Sequence, residues 1–106
     1  MPKYLFSVAY TSEGAKGLSK DGGSKRKAAA QKLVDSVGGK MDAFYFAFGK
    51  YDALVIADLP DASSAAALSL AIAGSGAVTG HTTVLISPEE MDQAAKKSPT
   101  YTPPGR

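Results

Sequence analysis

In the stretch Gly22-Gly23-Ser24-Lys25-Arg26-Lys27, three cations fall in the first turn of a helix, where the macrodipole prefers anions by about 0.3–1 kcal/mol each. That placement works against the helix unless something negative is held there. Free amides, the Ser24 hydroxyl and the Arg26 guanidinium would together receive a phosphate or a carboxylate. The Gly-x-x-x-x-Gly-Lys-Ser/Thr spacing of a P-loop is missing. The same cations also read as plain exposed side chains, or as partners for acids such as Glu89 and Glu90 of another segment. On the ligand reading, Ser24, Lys25 and Arg26 are the candidate anion-binding residues.

Tyr51-Asp52 is a second constellation. A carboxylate beside a phenol can serve as general base and hydrogen-bond donor when a dry cavity raises the carboxyl pKa. The structural alternative has Asp52 accepting backbone N–H bonds in a turn while Tyr51 packs at an interface. His81 is the only histidine and the one side chain that titrates near neutrality unaided. Tyr51, Asp52 and His81 are therefore the candidates for catalysis, each with a plain structural reading beside it. The aromatic group Tyr4, Phe6, Tyr10, Phe44, Tyr45, Phe46 and Phe48 reads first as core and interface. On a sharper reading Tyr10, Tyr45 and Phe48 join Tyr51 and Asp52 in lining an apolar pocket with a few polar handles. With no cysteine and one histidine, no thiolate or multi-histidine metal site is expected within one chain. No cofactor motif is present, so neither a metal nor a cofactor is expected.

These residues must be positioned by a chain of 106 residues, one domain's worth. Strand alternation predicts a first strand at Lys3–Tyr10, with Tyr4, Phe6, Val8 and Tyr10 on one face and Leu5, Ser7 and Ala9 on the other. A short turn capped by Ser12 and weakened by Gly14 and Gly17 follows. Ser24 then caps a helix over 25–37, whose Ala30, Leu33, Val34 and Val37 fall on one stripe. A second strand over 40–48 runs into the tight turn Gly49-Lys50-Tyr51-Asp52 and folds back as a third at Ala53–Asp58. A second helix over 63–73, capped by Asp61 or Ser63, has Leu68 and Ile72 as its bulky ridge among alanines. A fourth strand over 81–87 precedes a last helix opened by Pro88-Glu89-Glu90 and closed by Lys96-Lys97. Residues 1–97 form the domain, and the proline-bearing 98–106 are an extended tail.

The order βαββαβ plus a C-terminal helix predicts an α+β, ferredoxin-like fold with a four-stranded antiparallel sheet. Both sheet faces carry apolar side chains, although an antiparallel sheet with one wet face should alternate apolar with polar. The two crossover helices cover one face. A second copy packed sheet to sheet would cover the other, so a homodimer or higher homo-oligomer is expected.

The turn Gly49-Lys50-Tyr51-Asp52, the strand closed by Asp58-Leu59-Pro60-Asp61 and the basic stretch Gly22-Gly23-Ser24-Lys25-Arg26 strongly resemble the GYD domain family. Gly49, Tyr51 and Asp52 match its eponymous Gly-x-Tyr-Asp, and the likeness runs from Pro2 to about Ala95. The resemblance implies a dimeric α+β barrel and a family of unassigned biochemical function. It also admits, by analogy with that superfamily's monooxygenases and isomerases, a small cofactor-independent enzyme.

Charge is uneven, nine Lys/Arg against four Asp/Glu in residues 1–50 and three against six in 51–106. No helix-turn-helix, zinc-finger or RNA-binding strand pattern accompanies it, so nucleic acid is not an expected partner. Apolar residues at 44% and charged at 21% are ordinary globular values, and no apolar run is long enough for a membrane span. The opening Met1-Pro2-Lys3-Tyr4 lacks the leader pattern of a secreted chain, which predicts a cytoplasmic location. The favoured reading is a homo-oligomeric module that binds a small anionic or aromatic molecule. A cofactor-free enzyme and a structural oligomer embraced by its tail are the alternatives.

Overall fold

The structure is a computed structural model covering residues 1–106. Its elements run β1 (Lys3–Tyr10), α1 (Ser12–Asp21), α2 (Gly23–Asp35), β2 (Lys40–Phe46), β3 (Ala53–Asp58), α3 (Ala62–Gly74), β4 (Val78–Leu85) and α4 (Pro88–Lys97). The four strands form one antiparallel sheet in the order β2-β3-β1-β4. This is the ferredoxin-like arrangement expected from the element order, with α4 added at the end.

Register assigns the faces. Tyr4, Phe6 and Val8 lie opposite Ala57, Val55 and Ala53, and this face meets Val34 of α2 and Ala65 and Leu68 of α3 in the core. α2 lies over β2 and α3 over β4. The other face carries Leu5, Ser7, Ala9, Leu54, Ile56 and His81, with no helix of the chain laid across it. Leu5, Leu54 and Ile56 remain half-buried there.

Several boundaries differ from the sequence expectation for physical reasons. The segment after β1 is a complete helix rather than a short turn. Thr11, not Ser12, caps it by accepting the Gly14 N–H, and Gly14 sits where a Cβ would run into the Ala77 carbonyl. Ser24 does not cap α2. Gly22, at φ 82°, ends α1 by donating its N–H to Leu18 at 2.8 Å and at once becomes the cap position of α2. Only glycine adopts that angle cheaply, so Ser24 falls inside the first turn. β2 ends at Phe46, with a register shift between Met41 and Ala43. β4 begins at Val78 because it pairs with the whole of β1, down to Val78 opposite Tyr10.

Asp61 caps α3, its Oδ1 accepting the Ser64 N–H at 2.8 Å and the Ser64 and Ser63 hydroxyls at 2.7 and 3.0 Å. The Ser64 hydroxyl first, then its N–H, then Ser63, hold the Asp61 carboxyl below the usual aspartate range. A lowered native pKa means that the unfolded chain takes up the proton first, so acidification favours unfolding. The cap's contribution is full above the ordinary aspartate pKa and is lost as pH falls through the lowered native value. Replacing Asp61 with asparagine should therefore flatten the acid limb of a thermal-stability profile followed by circular dichroism. An unchanged acid limb would mean that the cap carries no such linkage.

Candidate functional site

The two crossover helices do not close completely over the sheet. Between α2 and α3 lies a cavity of about 130 Å³, close to the volume of dry apolar cavities known to admit one benzene ring. Its floor is Phe6, Val8, Ala53 and Val55, and its walls include Leu33 and Val34 of α2 and Leu68 and Ile72 of α3. Every lining residue is hydrophobic except Arg26. The small Ala29, Ala30 and Ala53 leave this space where larger side chains would have filled it.

Arg26 reaches this position because α2 starts immediately after Gly22, which places residue 26 one turn into the helix on its half-buried side. Lys25, one position back, points to solvent and pairs with Asp21 at 3.7 Å. Arg26 forms no ion pair. A half-buried arginine without a carboxylate partner, at an otherwise apolar cavity, offers a fork of N–H donors to an anion whose remainder is hydrophobic. Tyr10 lines the same cavity, and both residues also line a wider groove running outward between α1 and α3 past Glu13 and Asp21.

The structure thus brings Arg26 and Tyr10 together at this cavity, gathers Tyr10, Asp52 and Phe48 around a second groove at the end of β2, and leaves Ser24 and Tyr45 apart from both. Ser24 is exposed in the first turn of α2. Tyr45 is 71% exposed and shares the uncovered sheet face, since it pairs with Leu54. Phe48 lies beyond β2 and is fully exposed. Tyr51 and His81 meet edge to face, ring centroids 5.8 Å apart and planes at 76°, and the Lys50 ammonium stands 5.7 Å from the Tyr51 ring centre.

Asp52 is committed elsewhere. Its Oδ2 accepts the Tyr10 N–H at 2.8 Å, while its own N–H donates to the Val8 carbonyl and its carbonyl accepts from Ala47, both at 2.8 Å. The residue therefore ties the β2–β3 turn to the end of β1, and this engagement favours the structural reading of the Tyr51-Asp52 pair. Asp52→Ala should lower stability by about 1–3 kcal/mol, because it leaves a part-buried N–H beside Tyr10 without its charged acceptor. Urea unfolding would show this as a lower midpoint at unchanged slope, and an unmoved midpoint would remove the tie from consideration.

The sequence pattern shows the stripe of α2 and the Leu68–Ile72 ridge of α3 but not the space between them. What it missed is that they stand apart over Phe6, Val8, Ala53 and Val55. The available signal was the run Ala28-Ala29-Ala30 on α2, of which Ala29 and Ala30 line the cavity.

A four-stranded ferredoxin-like sheet with an apolar cavity under its crossover helices defines a small α+β domain. The sequence pattern of the GYD domain family matches residues 4–95, and the chain belongs to that family. No curated protein and no solved structure matches it.

Proposed function

We propose that the protein binds a small carboxylate with an apolar, single-ring body, the ring in the slot between α2 and α3 and the carboxylate on Arg26. The observation carrying this reading is the unpaired, half-buried Arg26 as the one non-hydrophobic residue lining a cavity of about 130 Å³. Ring burial supplies an apolar driving force of roughly 25 cal/mol per Å² removed from water, and the guanidinium supplies selectivity for the anion. Calorimetric titration with benzoate, phenylacetate and benzamide tests it. One of the acids should bind at least tenfold more tightly than the amide. Equal or absent binding of acids and amide would overturn the reading.

The same reading places the module in a homodimer. Leu5, Leu54 and Ile56 form the middle of a half-buried sheet face, and a second copy packed sheet to sheet would remove that apolar area from water. Native mass spectrometry of the full chain should give an even number of subunits, and a monomer at micromolar concentration would contradict the pairing.

A further inference from the structure

The helix α4 and the residues after it stand away from the domain. Every residue from 88 to 102 is exposed, including Met91 and Tyr101, and the chain extends over 56 × 33 × 23 Å. Its radius of gyration is 16.8 Å, where a compact chain of this length has about 13 Å. Its surface is 7325 Å², about 1,700 Å² more than the roughly 5,600 Å² of a compact monomer of this mass. A standard interface needs about 800 Å² per partner, so the excess is enough for more than one contact.

α4 is nevertheless well formed. Ser87 and Glu90 make a complete capping box, Pro88 opens the helix, and Ser98 closes it at φ 45°. Ten residues are too few for a stable helix in water without packing along one side. Met91, Ala94 and Ala95 form that side at helical spacing, with Glu90 and Asp92 along its borders.

A groove of matching character lies where the α1–α2 corner meets the end of β2. Leu18, Phe46, Ala47 and Phe48 line about 450 Å³ of it together with Tyr10 and Asp52, and Lys27 lines an adjoining hollow on Phe46. Neither Lys27 nor Asp92 has an ion-pair partner within the chain.

The chain's own arm does not occupy the groove. α4 leaves from Leu85, opposite Lys3, whereas Phe46 lies level with Ala53 and Val8 at the opposite edge of the sheet. Crossing from one to the other spans about 22 Å, three strand spacings and five residues of rise. From Leu85 to Met91 the chain covers at most about 15 Å, three extended residues and three helical ones. Met91 and Phe48 are both exposed within the single chain, so a contact between them falls to another copy.

We infer that α4 of one copy docks in the Phe46–Phe48 groove of a second copy, with Met91 against Phe48 and Asp92 facing Lys27. This contact is separate from the sheet-to-sheet pairing and adjoins the ligand slot, Tyr10 lining both. The natural chain has no cysteine, so introduced thiols report on one pair at a time. The full chain carrying Phe48→Cys and Met91→Cys is mixed in light and ¹⁵N-labelled forms, oxidised, digested and read by mass spectrometry. A 48–91 disulfide joining light to heavy chains should form at least tenfold faster than the link between Leu70→Cys and Met91→Cys, whose exposed Leu70 lies outside the groove. Equal rates, no 48–91 link, or a link confined to single chains would overturn the proposal. All three positions are exposed, so the substitutions leave the core intact.

Discussion

Replacing Arg26 with alanine should lower the affinity for a single-ring carboxylate by about 10- to 150-fold. This is the equivalent of losing roughly 1.5–3 kcal/mol of charge-assisted hydrogen bonding. The side chain forms no ion pair in the fold, so its removal leaves no carboxylate stranded, and the thermal midpoint of the free protein should move little. Arg26→Lys should fall between the two, because an ammonium keeps the charge but loses the planar fork that meets both carboxylate oxygens. Benzamide affinity should be nearly the same in all three proteins. Calorimetry on the three variants reads these differences directly, and an unchanged acid affinity in Arg26→Ala would remove the guanidinium from the site.

Leu68→Ala has the largest expected effect on stability, about 2–5 kcal/mol. Leu68 is 2% exposed and is one of the largest fully enclosed side chains in a core of few residues, so little else compensates for its loss. In a domain of this size the melting temperature falls by roughly 4–8 °C for each kcal/mol. Leu70→Ala on the same helix, at a position 75% exposed, should change stability by less than about 0.5 kcal/mol. Leu68 also lines the slot. Its truncation enlarges the cavity proposed for the ring, so a saturating larger aromatic acid should restore more stability to Leu68→Ala than it adds to the natural chain. Urea unfolding with and without the acid measures both effects. A cost under 1 kcal/mol would show that α3 does not depend on this side chain for its seat on the sheet.

Much of the fold was legible because local and global signals agree. β1 and β3 run over the residues that strand alternation predicts, and Asp61 and Pro88 mark the starts of α3 and α4. The departures arise where tertiary contacts decide. α1 is continuous despite its glycines because Gly14 packs against the backbone at Ala77, which composition alone reads as weakness. β4 starts at Val78 because β1 offers partners that far, which no window of the sequence contains.

The site was legible only in part, for a related reason. Arg26 and Tyr10 were visible as a cation and an aromatic with chemistry to offer. Their shared cavity depends on the separation of two helices over the sheet, a distance that no periodicity encodes. Tyr45 and Phe48 belong by type to the same aromatic group, yet pleat and turn send them to the uncovered face and to the groove at the end of β2. The Gly-x-Tyr-Asp turn has a specific mechanical task, Asp52 fastening the hairpin to Tyr10, and stands outside the ring-sized cavity.

Methyl-labelled protein titrated with the tightest-binding single-ring carboxylate gives the most direct test of the central claim. The ring protons should show cross-relaxation to methyls of Val8, Leu68 and Ile72, which line the slot between α2 and α3. Under the same saturation, the methyls of Leu5, Leu54 and Ile56 on the far face of the sheet should stay silent. Saturating ligand with no contact to the first three methyls, or with contacts to the far face instead, would contradict it.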